Sequence, residues 1–538
     1  MKSQCLPFVQ IPHTTKLFAD FLSYPPKVRQ FYPHSPRFGD WFRQAATELK
    51  YESPRREKVC SALLRQNLSW NASAKTVENI ERMKSGAAAV VTGQQVGLFG
   101  GPLFSLLKAL TAVKLAGEAT RGGVDCVPVF WLATEDHDLE EVNHVNVPGS
   151  DGALHTLVAP SAGVLHSPVG SIKFGDEIED VIKQVTDLLG ESDATAMLRE
   201  SYRPGETFGS AFARLFSSLF SDWGVILLDA SDPELHKIAE PMYREAAERA
   251  REIHDALQAR GKALEAAGYD PQVKVSPSST LLFTLRNGAR VPVHLLAPSG
   301  EDQFVIGDER LSKTQMLDRI RAAPEDFSPN VLLRPVVQDY LLPTLAYAGG
   351  AAEVAYFAQA AEVYQALLGK ITPIVPRFSA TLVDTKLQNL LERYRLGLLD
   401  VFHGPEPLRE TLAAATLPDA LNQSFEEAEK TLSVSMAKIR EAIGRLDKTL
   451  VDSAHTSESK MLYQLNGLRS RSARAELRHT ETLGRHAEAL SNALYPNKTL
   501  QEREIAGIYF LAQHGTKLLQ DLYDTVHPEC LDHQAIRL

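Results

Sequence analysis

Between residues 87 and 133 the chain reads as strand, glycine loop, helix, strand, and no other stretch restricts its fold as tightly. The run "AAAVVT" (87–92) ends in "VTGQQVGLFGGP", with Gly93, Gly97, Gly100 and Gly101 within nine residues. "PLFSLLKALTAVKLAGEA" (102–119) follows as a helix that is apolar nearly all round and therefore buried. Pro102 suits a first helical position, where a missing N–H costs nothing. "CVPVFWLA" (126–133) is a second strand, apolar on both faces. Strands of that kind belong to parallel sheets covered by helices. The unit therefore predicts an α/β fold with a Rossmann-like parallel-sheet core.

The rest of the chain elaborates that core. At 538 residues it exceeds one simple core and divides into several regions. N-terminal helices and the first half of the core fill 1–148. A punctuated insertion covers 149–220. "WGVILLDAS" supplies a core strand within 221–235. A second insertion, 236–330, carries a helix at about 233–267 and a hairpin marked by Asn287-Gly288. The second half of the core fills 331–383, with "LAYAGGAAEVAYFAQAAEVYQALLGKITPIVPR" as strand, Gly-Gly turn, helix and strand. From 384 to 497 the period is helical. Leu421, Phe425, Ala428, Leu432, Met436, Ile439, Ile443, Leu446 and Leu450 form a heptad-like seam, read as packed throughout. Residues 461–494 are the expected partner helix of an antiparallel coiled coil. A C-terminal segment, 498–538, is expected on the core.

Charge and cysteine usage exclude several classes. A net charge of −10 argues against broad nucleic-acid binding. No apolar run reaches 18 residues, and the N-terminus lacks a signal-peptide apolar region, so the reading is cytoplasmic and membrane-free. Cys5, Cys60, Cys126 and Cys530 form no C-x-x-C pair and are expected as reduced thiols.

Polar residues cluster where such a sheet binds ligands, beyond the carboxyl ends of its strands. A glycine loop opening a helix is an anion site, because the first helical amides lack partners. Gly93, Gly97, Gly100 and Gly101 would admit a ligand, Gln94 and Gln95 would read it, and Lys108 would reach back to a phosphate. Neither G-x-x-x-x-G-K-[ST] nor G-x-G-x-x-G fits, which disfavours a P-loop NTPase or a dehydrogenase. The second strand ends in "TEDHDLEEVNHV", where Glu135, Asp136, His137 and Asp138 are the candidate catalytic groups. His137 would be a general base, its protonated form favoured by adjacent carboxylates, and the carboxylates could hold Mg²⁺ on a nucleotide. If "DLEEVNH" is helical, His137, Glu141 and His144 share a face and form a candidate metal site. Asn143 and His144 are further binding candidates. From the second half come Arg334, Gln338 and Asp339, the Gly349-Gly350 turn, and Arg377, with either arginine able to clamp a carboxylate or phosphate.

Four stretches carry a family resemblance: "VTGQQVGLFGGPLFSLLKALTAVKLA", "VPVFWLATEDHDLEEVNHV", "LLRPVVQDYLLPTLAYAGGAAEVAYFAQ" and "PNKTLQEREIAGIYFLAQHG". Through them the chain resembles the BshC family, the cysteine ligases of bacillithiol biosynthesis. The resemblance implies a Rossmann-like core whose two insertions are connecting-peptide elements, with a helical coiled-coil domain, in a homodimer. It implies a carbon–nitrogen ligase that joins cysteine to glucosaminyl-malate, with ATP or ADP and Mg²⁺ as expected ligands. That core is similar to class I nucleotidyltransferases, yet neither H-x-G-H nor K-M-S-K-S occurs here. Two rival functions remain at this stage: a nucleotide-responsive binding protein that recruits partners through its coil, and a metal-dependent hydrolase built on His137, Glu141 and His144.

Overall fold

Five parallel strands make the central sheet: β1 (Ala88–Gln94), β2 (Cys126–Leu132), β3 (Ile226–Asp229), β4 (Thr344–Gly349) and β5 (Ile374–Pro376). Their spatial order is β5-β4-β1-β2-β3, the doubly wound arrangement, with its reversal point between β1 and β4. The computed structural model describes residues 1–160, 163, 165–296, 302–415, 419–477 and 481–538. β2 is buried at every position and β1 at all but Gln94, as strands covered on both faces must be. The crossover from β1 to β2 is α1 (Leu103–Arg121), with a helix-wide buried surface. The other core helices are α2 (Pro233–Glu248), α3 (Arg334–Leu341) and α4 (Ala351–Leu368).

This core belongs to the first of two compact units, Met1–Ser150, Leu154–Thr381 and Glu502–Ile536. Within 149–220, helices Glu177–Leu189, Asp193–Ser201 and Phe208–Leu219 precede β3. Phe212 and Phe216 stack at 4.1 Å, and Phe216 meets Phe130 of β2 at 5.1 Å. The single helix expected at 233–267 is two, α2 and Ala250–Ala266, broken at Arg249. Asn287 and Gly288 both take positive φ (53° and 80°), as a two-residue hairpin turn of this hand requires. The hairpin is part of a five-stranded antiparallel sheet. Cys5 and Cys530 form a disulfide with Cα atoms 6.3 Å apart, correcting the expectation of four free thiols. Sequence spacing cannot show that the two ends of a unit meet.

The second unit, Asp151–Ala153, Leu382–Gln501 and Arg537–Leu538, is helical. α5 (Asp419–Leu446) and α6 (Val451–Leu477) form an antiparallel hairpin, with Arg440 on Glu458 near its turn and Arg469 on Asn422 farther along. The partner helix therefore starts at Val451 rather than 461; it is described to Leu477, and the chain is helical again from Glu481 to Leu494 (α7), with 478–480 outside the described residues. The seam is only partly packed. Phe425 and Met436 are buried, whereas Leu421, Ile439, Leu446 and Leu450 are exposed. A two-helix hairpin covers one stripe, and a seam that drifts around the helix leaves it. Among the described residues no helix is long and apolar enough to cross a membrane.

Candidate active site

The turns after β1 and β2 open onto one cavity of about 730 Å³ at the carboxyl ends of the strands, inside the first unit. Gly93, Gln94, Gln95 and Lys108 line it from β1 and α1, and Glu135, Asp136, His137 and Glu141 from the turn after β2. Arg334, Gly350 and Arg377 reach it from the second half of the core. Of the other sequence candidates, Gly97, Gly100, Gly101, Asp138, Asn143, His144, Gln338, Asp339 and Gly349 do not line it.

The far half of the glycine loop is structural. Phe99, Gly100 and Gly101 take successive positive φ values of 51°, 86° and 71°, a turn that requires glycine at two of three places. Gly100 N–H donates to the Tyr202 hydroxyl at 3.1 Å, behind the cavity. The start of α1 is covered rather than open to an anion. Leu103 N–H donates to Ile505 O (2.9 Å), and Gly507 N–H to Gly101 O (3.0 Å). Gly93 alone keeps its place in the lining. A Cβ there would lie 2.9 Å from Trp131 O, so glycine is what lets β1 and β2 close together at this end.

Lys108 does reach back to the strand end, but its three protons are spent. It donates to Gly93 O (2.7 Å) and Gln94 Oε1 (2.9 Å) and pairs with Glu353 Oε2 (2.7 Å). Burial lowers its pKa to about 8, with Glu353 opposing, so it is charged at neutral pH. Burial alone would raise Glu353, yet Lys108, Tyr347 and the Gly350 amide together hold it below the ordinary carboxylate range. Lys108 is therefore an anchor for the β1 turn, not a phosphate ligand. The pair of glutamines carries its polarity onward. Gln94 presents its oxygen to the ammonium, so its nitrogen faces Gln95 Oε1 at 3.5 Å. Gln95 Nε2 then donates to Asp136 Oδ2 and Glu141 Oε2, both at 2.7 Å.

His137 is not the cationic base expected from its neighbours. Burial and the Arg290 guanidinium push its pKa below the usual range, outweighing Asp136. Arg290 Nη1 donates to Nδ1 at 3.3 Å, which leaves the neutral ring its proton on Nε2. Nor do His137, Glu141 and His144 share a helical face. Residues 139–143 form a turn, and His144 opens strand His144–Pro148, paired with Val158. Among the described residues no group of three His, Cys, Asp or Glu side chains is arranged to hold a metal ion.

Glu135 is the distinctive carboxylate. Burial raises its pKa above the ordinary range, with His236, Arg290 and Arg334 opposing and Asp229 adding to the rise. Its Oε1 lies 3.3 Å from His236 Nε2, and His236 Nδ1 lies 3.3 Å from the Tyr243 hydroxyl. Both partners sit on one face of α2, two turns apart at i and i+7. The insertions and the C-terminal segment thus supply site residues that sequence reasoning missed: Arg290, His236, Tyr243, Arg503 and Glu502. Glu502 and Arg503 lay within a quoted stretch, "LQEREIAG", whose buried partner only the fold reveals.

Gln338 and Asp339 back the site from within. On α3 the i, i+4 spacing sets Gln338 beneath Arg334, whose Nη1 donates to Gln338 Oε1 at 2.9 Å. Arg334 Nη2 donates to the Tyr356 hydroxyl at 3.1 Å. Asp339, one residue on, turns into the core and accepts from Gln338 and Tyr364. Gly349 is held by close approach, since a Cβ would lie 2.9 Å from the Glu353 Cβ.

Arg377 pairs with buried Glu502 at 2.7 Å, in a network that fixes one histidine tautomer. Ser379 spends its proton on Glu502 Oε1 (2.8 Å), so it accepts from His533 Nδ1 (2.7 Å), and Thr381 donates to Nε2 (2.8 Å). Burial pushes His533 down from 6.5 to about 4. The unfolded chain takes up that proton below 6.5, but the folded chain only near 4. Stability is therefore lost as pH falls through this window, by roughly 1.4 kcal/mol per pH unit and ~3 kcal/mol in all. Thermal melts of a His533→Gln variant between pH 7 and 4 are expected to show a shallower decline than wild type. An identical slope would refute the neutral, buried ring.

Comparison with known proteins agrees with this architecture. The family model described as bacillithiol biosynthesis BshC, N-terminal Rossmann-like domain, matches residues 1–378. The BshC C-terminal coiled-coil domain matches residues 380–538. Relatives named "Putative cysteine ligase BshC" include one from Koribacter versatilis (strain Ellin345), 48% identical over 538 residues and covering 100% of both chains. Others come from Solibacter usitatus (strain Ellin6076), 34% identical with 100% of both chains covered, and Geobacillus thermodenitrificans (strain NG80-2), 30% identical with 97% of each.

Proposed function

The chain belongs to the BshC family, and on that premise we propose that it joins the carboxylate of cysteine to the amine of glucosaminyl-malate, the closing step of bacillithiol synthesis. The observation that supports this most is one cavity lined both by carboxylates, Glu135, Asp136 and Glu141, and by guanidiniums, Arg290, Arg334 and Arg377. A ligase of this kind must hold an amine nucleophile near a base and anionic groups near cations.

In the proposed reaction ATP activates the cysteine carboxylate as an acyl phosphate or acyl adenylate. The glucosamine nitrogen attacks that carbonyl carbon, a C–N bond forms, and the C–O bond to the phosphoryl group breaks with its electron pair. Glu135 receives the proton lost by the nitrogen; its raised pKa suits a base that must also let go. His236 donates to Glu135 from Nε2 when Tyr243 donates to Nδ1, which keeps the carboxylate aimed. His137 serves as a neutral hydrogen-bond donor through Nε2, not as the base. Asp136 and Glu141, each with one oxygen accepting from Gln95 Nε2, would face a nucleotide-bound Mg²⁺, which would supply charge neutralisation at the phosphates. No step here runs through a protein-held metal.

Thiol profiling of cells lacking the gene tests the assignment. Glucosaminyl-malate is expected to accumulate and bacillithiol to disappear. Bacillithiol at the parental level would contradict the pathway step.

A further inference from the structure

Three cations surround the ring of Phe104 in the cavity wall: Lys108, Arg377 and Arg503, with charge centres 5.9, 5.3 and 5.8 Å from its centroid. Two of them are satisfied within the protein. Lys108 has Glu353, Gly93 O and Gln94, and Arg377 has Glu502 and Phe378 O. Arg503 makes no hydrogen bond or ion pair with any described residue, although it lines the same cavity. The carboxylates nearest in charge to it, Glu502 and Glu353, are those already spent on Arg377 and Lys108.

The backbone on either side of Arg503 is pinned. Glu502 is 1% exposed and accepts from Ala380 N–H at 2.8 Å as well as from Arg377. Ile505 O accepts from Leu103 N–H, and Ala506 N–H donates to Asn146 O at 2.9 Å. A fixed backbone thus presents to the cavity a guanidinium with five donors, beside two cations whose charges are already paired. The Arg503 side chain is exposed, so water meets these donors until an anion displaces it. Desolvation and the neighbouring Arg377 lower the Arg503 pKa, with Glu502, Glu353 and Glu504 opposing.

We propose that Arg503 is the oxyanion contact of the site, a specificity-determining residue that takes a carboxylate or phosphoryl group of a substrate against the Phe104 wall. This rests on the ligase reading above and adds to it the residue that selects an anionic substrate. Arginine offers two parallel N–H groups to such an oxyanion, which a lysine cannot reproduce.

Arg503→Met and Arg503→Lys test it, with unchanged melting temperature showing that each variant folds. In steady-state assays Arg503→Met is expected to raise KM for glucosaminyl-malate by about tenfold or more, with kcat within about threefold, and Arg503→Lys to recover part of the loss. A rise confined to KM for ATP would support the same contact with a phosphoryl group as the oxyanion; one confined to cysteine would assign its carboxylate. A folded Arg503→Met variant with all three KM values within about twofold of wild type would overturn the proposal. If the wild-type protein shows no turnover, the ligase reading fails and the contact is read by calorimetric titration of malate, inorganic phosphate and ATP. A loss of about tenfold or more in Arg503→Met affinity for any of them supports it. Equal affinities, or no binding by wild type, overturn it.

Discussion

Replacing Lys108 by methionine is expected to lower the unfolding free energy by about 3–5 kcal/mol and to abolish turnover. The lysine stem would be replaced by a chain of similar shape, so packing in α1 changes little. What changes is charge. Glu353, held ionised by Lys108 at 2.7 Å, would be left buried with only the Tyr347 hydroxyl and the Gly350 amide. The end of β1 would lose the ammonium that ties Gly93 O to Gln94 Oε1, and with it the amide chain that reaches Asp136 and Glu141. The double variant Lys108→Met, Glu353→Gln is expected to regain much of the stability, since no buried charge remains, but not the activity. Thermal denaturation and rate measurements on both variants check this. A single variant that melts at the wild-type temperature would mean that the pair is not load-carrying.

Replacing Glu135 by glutamine is expected to reduce kcat by about 10²–10⁴ while leaving the melting temperature and all three substrate KM values nearly unchanged. Glutamine keeps the shape and can still meet His236, but it accepts no proton at the pH of the reaction. The same side chain lost from a merely structural role would move stability first and kcat little. His236→Asn is expected to fall between the two, because it removes the donor that aims Glu135 at 3.3 Å and leaves the carboxylate in place. A Glu135→Gln variant with kcat within about threefold of wild type would remove this residue from the chemistry.

The sheet was legible in the sequence because β1 and β2 are apolar on both faces and the loop between them announces a turn into a helix. The meaning of that loop was not. Glycine signals an approaching ligand and a left-handed turn equally well. Only the distant segment Ile505–Gly507, lying over the start of α1, decides for the turn. Lys108 reaches back along α1 as side-chain direction predicts, but to the strand end and a carboxylate on α4 rather than to a phosphate, and helical periodicity in α1 carries no trace of that partner. The acidic turn lies at the rim its position after β2 predicts, but the helix that would set its histidines on one face does not form. Residues 139–143 instead turn into strand His144–Pro148, whose pairing with the following strand outweighs local helix propensity. His236, Arg290 and Arg503 belong to elements that looked peripheral in one dimension and meet only in the folded chain.

The most direct test supplies the purified protein with cysteine, glucosaminyl-malate and ATP and follows product by mass spectrometry. The account predicts an amide product of the combined mass less one water, with one ATP cleaved for each molecule formed and product formation at least about a hundredfold slower in the Glu135→Gln variant. No product from the wild-type protein, or undiminished product from Glu135→Gln, would contradict it.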